Sequence, residues 1–549
     1  MAKRRSARQI RSVSIFQRSS LRQKNGNVPI YLALLSGILL GYAFPPLDFK
    51  WLVWVGLVPL AIAVRQARST RKAFFLGFLT GTLCFCIILY PLVSAHLWVG
   101  WVRESHAAAL ARYTRQWWLL HVLWVAWSLL GGGVFWGAWA AGLKRWAQGP
   151  WSWCLLGTAG WVLIPEWVRM RVIFDCEWAF LGYACADWTA VRQLAAVGGV
   201  PLLSGLVVLV NLGIASACVA NRRQRGWWRP LGVALASLGL AAIWGTWVAR
   251  ATGAAKPSIP VAIVQYSGAL PKNGSAYNEI GFRQGYAPLI HDAMSHGAQV
   301  VVLPESVMRG VVTLDGTPSN NRPPYRTYPL DSWTAMVLSW LRGTHTTLIA
   351  GINAVVEGRD HNTLFAWTAA GPVGAYHKRR LVPFAEYRPW GWGTWTLRGS
   401  SLLVPGQGTQ LFYLPGITVG GIICQEIVYS SLARASVRDG ATLLVSSGSD
   451  GVFADQSVAR VHADIAQLRA VETGRYLVRA MDTGISAVID PTGRELVRSR
   501  LKENTVLYEV VAPRTSLTPY VRFGNWMVGL SAFVCLGLVL RSRRRRLSQ

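Results

Sequence analysis

Three residues in the second half of this chain carry reactive groups at the ends of apolar runs. Glu305 follows "VVVLP", Lys378 follows "VGAYH" and Cys424 follows "GGII". A free thiol has a pKa of about 8.5 and is mostly protonated at neutral pH, so it needs a base or a nearby positive charge to become a nucleophile. A glutamate can take the proton. A lysine ammonium can stabilise both the thiolate and the oxyanion formed when a carbonyl is attacked. Each residue alone has a plainer reading: Cys424 as a buried small residue, Glu305 as a helix cap, Lys378 as part of the solvated run "HKRR". Together they form a set suited to attack on a carbonyl. His462, in "VARVHADIAQLRAVETGR", is a weaker partner for the thiol, set against an ordinary packing histidine.

The elements that would position this set follow from the apolar pattern. Short β-branched runs at 259–267, 298–306, 346–356, 418–426, 441–449 and 484–493 are expected as buried strands. Helix-like stretches at 286–296, 331–341, 427–437 and 459–473 alternate with them. That alternation predicts an α/β layered fold, in which reactive groups gather where strands end. No zinc-type Cys/His spacing, Walker loop or GxGxxG occurs in the sequence.

The first half is different in kind. The chain has 549 residues, 52% of them hydrophobic, with 28 Trp. Its mean hydropathy is +0.30, too apolar for one ordinary soluble domain of this length. Eight membrane spans are expected, at 29–44, 51–64, 73–93, 117–143, 151–167, 194–220, 230–249 and 526–540, the second being short for a span. The formal charge of +31 sits in short runs between apolar stretches, which favours a membrane over nucleic acid as the partner. The basic runs at 1–11, 65–72, 144–146, 221–225 and 541–546 all fall on one side if the eight spans hold, so both termini are expected in the cytoplasm.

The expected domains are a basic cytoplasmic tail at 1–27, a seven-span membrane domain at 28–250, an external catalytic domain at 257–522, a last span at 524–540 and a second basic tail at 541–549. The start is taken as an uncleaved tail rather than a secretory signal. Of eight Cys, five lie in expected spans, and Cys176 and Cys185 share an outside loop where a disulfide is open. Only Cys424 belongs to the external domain, and an unpaired thiol in an oxidising compartment favours a functional role.

The sequence resembles a known family at these residues. "VVLPES", "YHKRRLVPFAEYRP" and "IICQEIVY" resemble the three motifs of the nitrilase, or carbon–nitrogen hydrolase, superfamily. "LLVPGQGTQLF" and "QLRAVETGRYLVRAMDTGISAVIDPTGR" resemble its later signatures, and seven spans before the domain with one after look like its membrane-embedded branch, the apolipoprotein N-acyltransferase family. The resemblance implies an αββα sandwich inserted between spans seven and eight. It implies Glu305 as general base, Lys378 as oxyanion stabiliser and Cys424 as nucleophile, with Glu386 and Glu426 supporting, against a plainer reading of those two as structural ion pairs. It further implies that an acyl chain passes from a membrane phospholipid, through a cysteine thioester, to the α-amine of a diacylglyceryl-cysteine on an apolipoprotein. The other enzyme reading is a membrane-tethered acyltransferase or amidase acting on a different envelope protein or peptide.

Such chemistry needs no metal or cofactor. The expected protein is a monomer of the bacterial inner membrane with a periplasmic catalytic domain. Residues 170–193 and the Trp-rich 386–395 are candidates for the lipid interface. Some positions depart from the family pattern: "SGSDGVF" lacks the usual asparagine and tryptophan, "VQYSGALPKN" lacks a glycine–asparagine, Gln425 stands where an aromatic is common, and "FDCEW" replaces an apolar–proline–tryptophan loop.

Overall fold

The computed structural model describes residues 27–93, 106–220, 226–252, 258–267, 277–314, 327–389, 402–451 and 456–548. The expected N-terminal tail therefore lies outside the described residues, as does 390–395 of the Trp-rich stretch. Five described helices are long and apolar enough to cross a membrane: Thr70–Val93, Trp117–Trp146, Ala195–Val219, Arg229–Thr252 and Trp526–Leu547.

That is fewer than the eight expected, and the remaining three segments are shorter or interrupted. The segment expected at 29–44 forms only the 15-residue helix Val28–Tyr42, and Pro45 and Pro46 follow, neither able to donate a helical hydrogen bond. The one expected at 51–64 breaks into a 3₁₀ turn, Lys50–Trp54, and a nine-residue helix, Val58–Gln66. Residues 150–172 are helical throughout, but the π-helical part Val162–Val168 carries Pro165 and a buried Glu166. Hydropathy registers apolar side chains and is blind to such breaks.

The α/β domain lies in the chain between the helices Arg229–Thr252 and Trp526–Leu547. Its first sheet contains β1 (Ile259–Gln265), β2 (Val300–Val302), β3 (Met308–Thr313), β4 (Thr327–Pro329), β5 (Thr347–Val356), β6 (Arg359–Thr368) and β7 (Gly371–His377). A second sheet contains β8 (Leu411–Leu414), β9 (Ile417–Ile423), β10 (Leu443–Gly448), β11 (Leu477–Met481), β12 (Ala487–Ile489) and β13 (Glu495–Arg498). β14 (Thr505–Val511) returns to the first sheet, whose order is β14-β1-β2-β5-β3-β4 with β6 and β7 branching from β5. The second sheet runs β13-β12-β11-β10-β9-β8, with β9, β10 and β11 parallel.

Alternation along the strands builds the layers, because successive side chains point to opposite faces. Val261 and Ile263 of β1 face Val419, Ile423, Val445 and Val478 of the second sheet in one core between the sheets. Ala262 and Val264, one residue out of phase, pack instead with Phe282, Ile290 and Val337 of the helices Tyr277–Ser295 and Leu330–Leu341. On the far side, Ile422, Leu444 and Leu477 pack under the helices Ser430–Arg438 and Ser457–Thr473. The domain is thus an α/β sandwich of two sheets between helical layers.

That third apolar cluster continues into the N-terminal helices, taking in Phe44, Ile88, Tyr183 and Val200. Polar contacts cross the same boundary. Lys50 lies 2.8 Å from both Asp187 and Asp464. Arg192 and Gln193 donate to the Thr492 carbonyl at 2.7 and 2.9 Å. In the helix Ala195–Val219 the backbone breaks at Gly199, at φ +70°, where a Cβ would meet the Tyr520 ring at 2.6 Å. The Val200 N–H freed at this break donates to Glu472 Oε1 at 2.9 Å.

One close approach matters for the site. A Cβ on Gly351 of β5 would lie 2.5 Å from both Glu305 Cα and the Pro304 carbonyl oxygen. Gly351→Ala is expected to destabilise the protein by about 1–3 kcal/mol and to lower activity by displacing Glu305. Denaturant midpoints alongside acylation rates check it; wild-type values in both would mean that β5 and the Glu305 segment separate at little cost.

Candidate active site

The reactive residues sit just past strand ends, where the chain turns sharply. β9 ends at Ile423, and Cys424 opens a 3₁₀ turn, Cys424–Val428, with φ of +52°. Ser306, the residue after Glu305, is also left-handed at φ +51°. Non-glycine residues rarely adopt such angles without tertiary support. Lys378 follows β7 directly, its N–H donating to the Asn362 carbonyl at 2.8 Å and its own carbonyl accepting from Gly406 at 2.8 Å. Because the two sheets face each other, Cys424 from one lies within electrostatic reach of Glu305 and Lys378 from the other. Ser447 Oγ of β10 donates to the Leu303 carbonyl beside Glu305 at 3.1 Å, tying the layers together there.

The Lys378 ammonium is fully buried between two carboxylates. It lies 2.9 Å from Glu386 Oε1 and 3.9 Å from Glu305 Oε1. Asn362 Nδ2 donates to Glu305 Oε1 at 2.5 Å and reaches Glu386 Oε1 at 3.5 Å. The second Glu386 oxygen accepts from the Val382 N–H at 2.8 Å, which fixes the loop carrying it. Burial alone would pull the Lys378 ammonium down, but Glu386 and Glu305 outweigh it and raise its pKa above the ordinary lysine value.

Cys424 behaves in the opposite sense. Burial and the Glu305 carboxylate push its thiol up, with Lys378 opposing. The resting group is therefore a thiol. Its Sγ faces the Ser449 carbonyl at 3.9 Å, a weak contact. The Glu305 carboxylate is of a type that can accept a thiol proton, and the Lys378 ammonium is a fixed positive charge of the kind that can stabilise an oxyanion.

Glu426 occupies the turn after Cys424 and accepts four hydrogen bonds. Oε2 takes the Ile423 N–H at 2.9 Å and the Tyr376 hydroxyl at 2.7 Å; Oε1 takes the Arg379 and Arg380 N–H groups at 2.7 and 3.0 Å. All five residues singled out from the sequence are thus brought together. His462 is not among them: its Nδ1 lies 2.9 Å from Asp450 Oδ1, and its ring edge meets Trp178. Arg479 Nη2 reaches the other Asp450 oxygen at 3.4 Å.

Asn362, Tyr376 and Asp450 were not singled out from the sequence. Tyr376 had a signal, since it lies two residues before Lys378 and shares its face of the strand. Asn362 had none, because its role comes from β6 pairing with both β5 and β7. Cys176 and Cys185 are both free thiols. Among the described residues no group of three or more His, Cys, Asp or Glu is arranged to hold a metal ion.

Comparison with known proteins matches this architecture in two parts. Residues 260–520 match the carbon–nitrogen hydrolase family model, and residues 36–213 match the apolipoprotein N-acyltransferase N-terminal domain. The α/β sandwich is therefore the part of the chain that matches the carbon–nitrogen hydrolase model. The chain is 28% identical over 541 residues to the apolipoprotein N-acyltransferase of Gloeobacter violaceus, covering 95% of this chain and 96% of that one. It is 27% identical over 525 residues to that of Nitrosomonas europaea, covering 93% and 96%. An amidase from Nesterenkonia sp. of known structure is similar at 18% identity and a TM-score of 0.37, over 51% of this chain and 99% of that one. The chain as a whole is similar to these apolipoprotein N-acyltransferases, and the two family matches fall on its helical part and on its sandwich.

Two predictions follow from the charges. A raised lysine pKa means that the Lys378 charge favours the folded state at every pH below the ordinary lysine value, and that this is lost only as pH climbs through the higher folded value. Glu386→Gln removes its nearest counter-charge, so the alkaline limit of activity should move to lower pH, with about 3–5 kcal/mol of stability lost; a pH–rate profile with an unmoved alkaline limb would contradict this. Glu426→Gln offers one acceptor oxygen in place of two, and should slow acylation about 10²-fold while leaving the helical content measured by circular dichroism unchanged.

Proposed function

We propose that this protein is an N-acyltransferase that moves an acyl chain from a membrane phospholipid to the α-amine of a diacylglyceryl-cysteine on an apolipoprotein. The observation that carries this reading is the extent of similarity. The relatives that bear the apolipoprotein N-acyltransferase name match up to 95% of the chain, so the helical part and the catalytic part are shared as one unit. The cluster at the strand ends supplies the chemistry.

Glu305 takes the thiol proton as Cys424 attacks the donor ester. The Cys424 sulfur bonds to the acyl carbon, and Lys378 stabilises the oxyanion. Collapse expels the lysophospholipid alkoxide, which takes the proton from Glu305, and leaves a thioester. The acceptor amine then attacks that thioester, Glu305 receives the amine proton, and the thiol is restored as the amide forms. Microscopic reversal of roles lets one carboxylate serve both halves. Glu386 holds the Lys378 ammonium, and Glu426 holds the Cys424 turn. No cofactor takes part in these steps.

The same reading sets eight membrane-crossing segments: the five long helices, the shorter Val28–Tyr42, the interrupted stretch at 50–66 and the stretch at 150–172. It divides the chain at 28–250, 257–522 and 524–540, with both basic tails in the cytoplasm and the sandwich inserted on the periplasmic side of a bacterial inner membrane. The protein works as a monomer.

Purified protein given acyl-labelled phospholipid is expected to acquire hydroxylamine-sensitive label, and Cys424→Ala to acquire none; equal labelling of the variant would remove Cys424 as nucleophile. Glu305→Gln should slow labelling about 10²–10⁴-fold. Expression in a strain depleted of its own apolipoprotein N-acyltransferase should restore growth. A protein that forms the thioester and fails to restore growth would instead acylate a different envelope acceptor.

A further inference from the structure

Beside the active site, two guanidinium groups from separate parts of the chain converge on one carboxylate. Arg171 Nη1 lies 2.9 Å from Asp175 Oδ1, and Arg380 Nη2 lies 3.4 Å from Asp175 Oδ2. The Arg171, Arg380 and Asp175 side chains are 54%, 45% and 28% exposed. Arg380 also belongs to the site: it lies two residues past Lys378, its N–H donates to Glu426, and its guanidinium stacks over the Tyr429 ring at 5.8 Å. Arg171 stacks over Trp167 at 4.6 Å, close to the end of the helical stretch at 150–172. Arginine and tryptophan at a helix end suit the depth of lipid headgroups.

Asp175 occupies the position that an anion between two arginines would take. Its backbone is left-handed at φ +56°, as are Phe174 at +53° and, across the gap, Phe384 at +63°. The rings of Phe174 and Phe384 meet edge to face at 6.1 Å, so the loop carrying Asp175 touches the loop that follows Lys378 and Arg380. An ion pair this exposed adds little net stability, and arginine binds phosphate in the same forked geometry as carboxylate. Exchange of one anion for the other is therefore cheap. It is made cheaper because Asp175 keeps its shorter contact to Arg171 when Arg380 leaves.

The next carboxylate on the loop does not share this freedom. Glu177 is buried, accepts from the Ser430 N–H and hydroxyl at 3.1 and 2.7 Å, and pairs with Arg469 at 3.4 Å. The loop thus has a fixed anchor at Glu177 and a releasable contact two residues earlier.

We propose that Arg380 recognises the phosphodiester of the acyl-donor lipid, and that Asp175 holds its guanidinium in place until the lipid arrives. This rests on the reading of phospholipid as the donor. Arg380 is then a specificity residue for the first half-reaction, placing the ester of a phosphate-bearing lipid at Cys424.

The test compares two acyl donors on full-length protein in detergent micelles: phosphatidylethanolamine and p-nitrophenyl palmitate, which has no phosphate. Thioester formation on Cys424 gives kcat/KM for each. Arg380→Gln is expected to lower the ratio of phospholipid to phosphate-free ester by about 10-fold to 100-fold, the worth of one charge-assisted contact, and mainly through KM. Arg380→Lys should recover part of that loss, and Asp175→Asn should lower KM for the phospholipid. A ratio left unchanged by Arg380→Gln, whether both donors slow equally or neither slows, overturns the inference. Inorganic phosphate that inhibits both donors equally would make free phosphate the ligand and overturn the lipid assignment. Wild-type protein labelled by the phosphate-free ester and not by phosphatidylethanolamine overturns the phospholipid-donor reading itself, and this inference with it.

Discussion

The geometry of the site depends on one buried carboxylate next to the thiol. Glu426 draws its donors from two sheets: Ile423 beside the thiol on one side, and Tyr376, Arg379 and Arg380 around the lysine on the other. Burial pushes its carboxyl up, while its hydrogen bonds pull against that shift. Backbone N–H groups left unpaired in such a place would each lose their hydration without return. The carboxylate is thus the common endpoint that makes the strand holding Cys424 and the strand holding Lys378 mutually dependent. Substitution at any of its donors is felt at both.

The same logic appears at the boundary between the helices and the sandwich. Apolar packing there is continuous, so there is no solvent layer to separate the two parts. Two of the buried cations there cross it within sets of opposite charge: Lys50 with Asp187 and Asp464, and Arg469 with Glu177 and Glu472. Burial pushes Asp464 and Glu472 each up to about 7. Removing one partner of such a set leaves a buried charge uncompensated, which costs more than the intact set contributes. These sets therefore specify how the parts dock more than they hold the parts together.

Much of the site was legible because strand ends announce themselves. Glu305, Lys378 and Cys424 each close an apolar run, and each turned out to lie within three residues of a strand terminus. The layering was legible for the same reason, since β-branched runs alternated with amphipathic stretches. The branch of β6 and β7 off β5 was not, because pairing order is a long-range property with no local signature. Asn362 was hidden with it. The strand expected at 298–306 stops at Val302, because Pro304 and the left-handed Ser306 bend the chain so that Glu305 can point at Lys378. That the segments expected at 29–44, 51–64 and 151–167 are short or interrupted was not legible, because hydropathy carries no information on helix breaks.

The break at Gly199 has a further meaning. A helix that would otherwise run unbroken exposes one donor at its kink, and the group that satisfies this donor, Glu472, lies on a helix of the sandwich more than two hundred residues later in the chain. Arg469, paired with that same glutamate, also donates to the Tyr183 hydroxyl at 2.7 Å. The helix Ala195–Val219 therefore takes one of its backbone partners from the sandwich. The helical part thus has this backbone donor satisfied only in the docked arrangement, by a side chain that belongs to the sandwich.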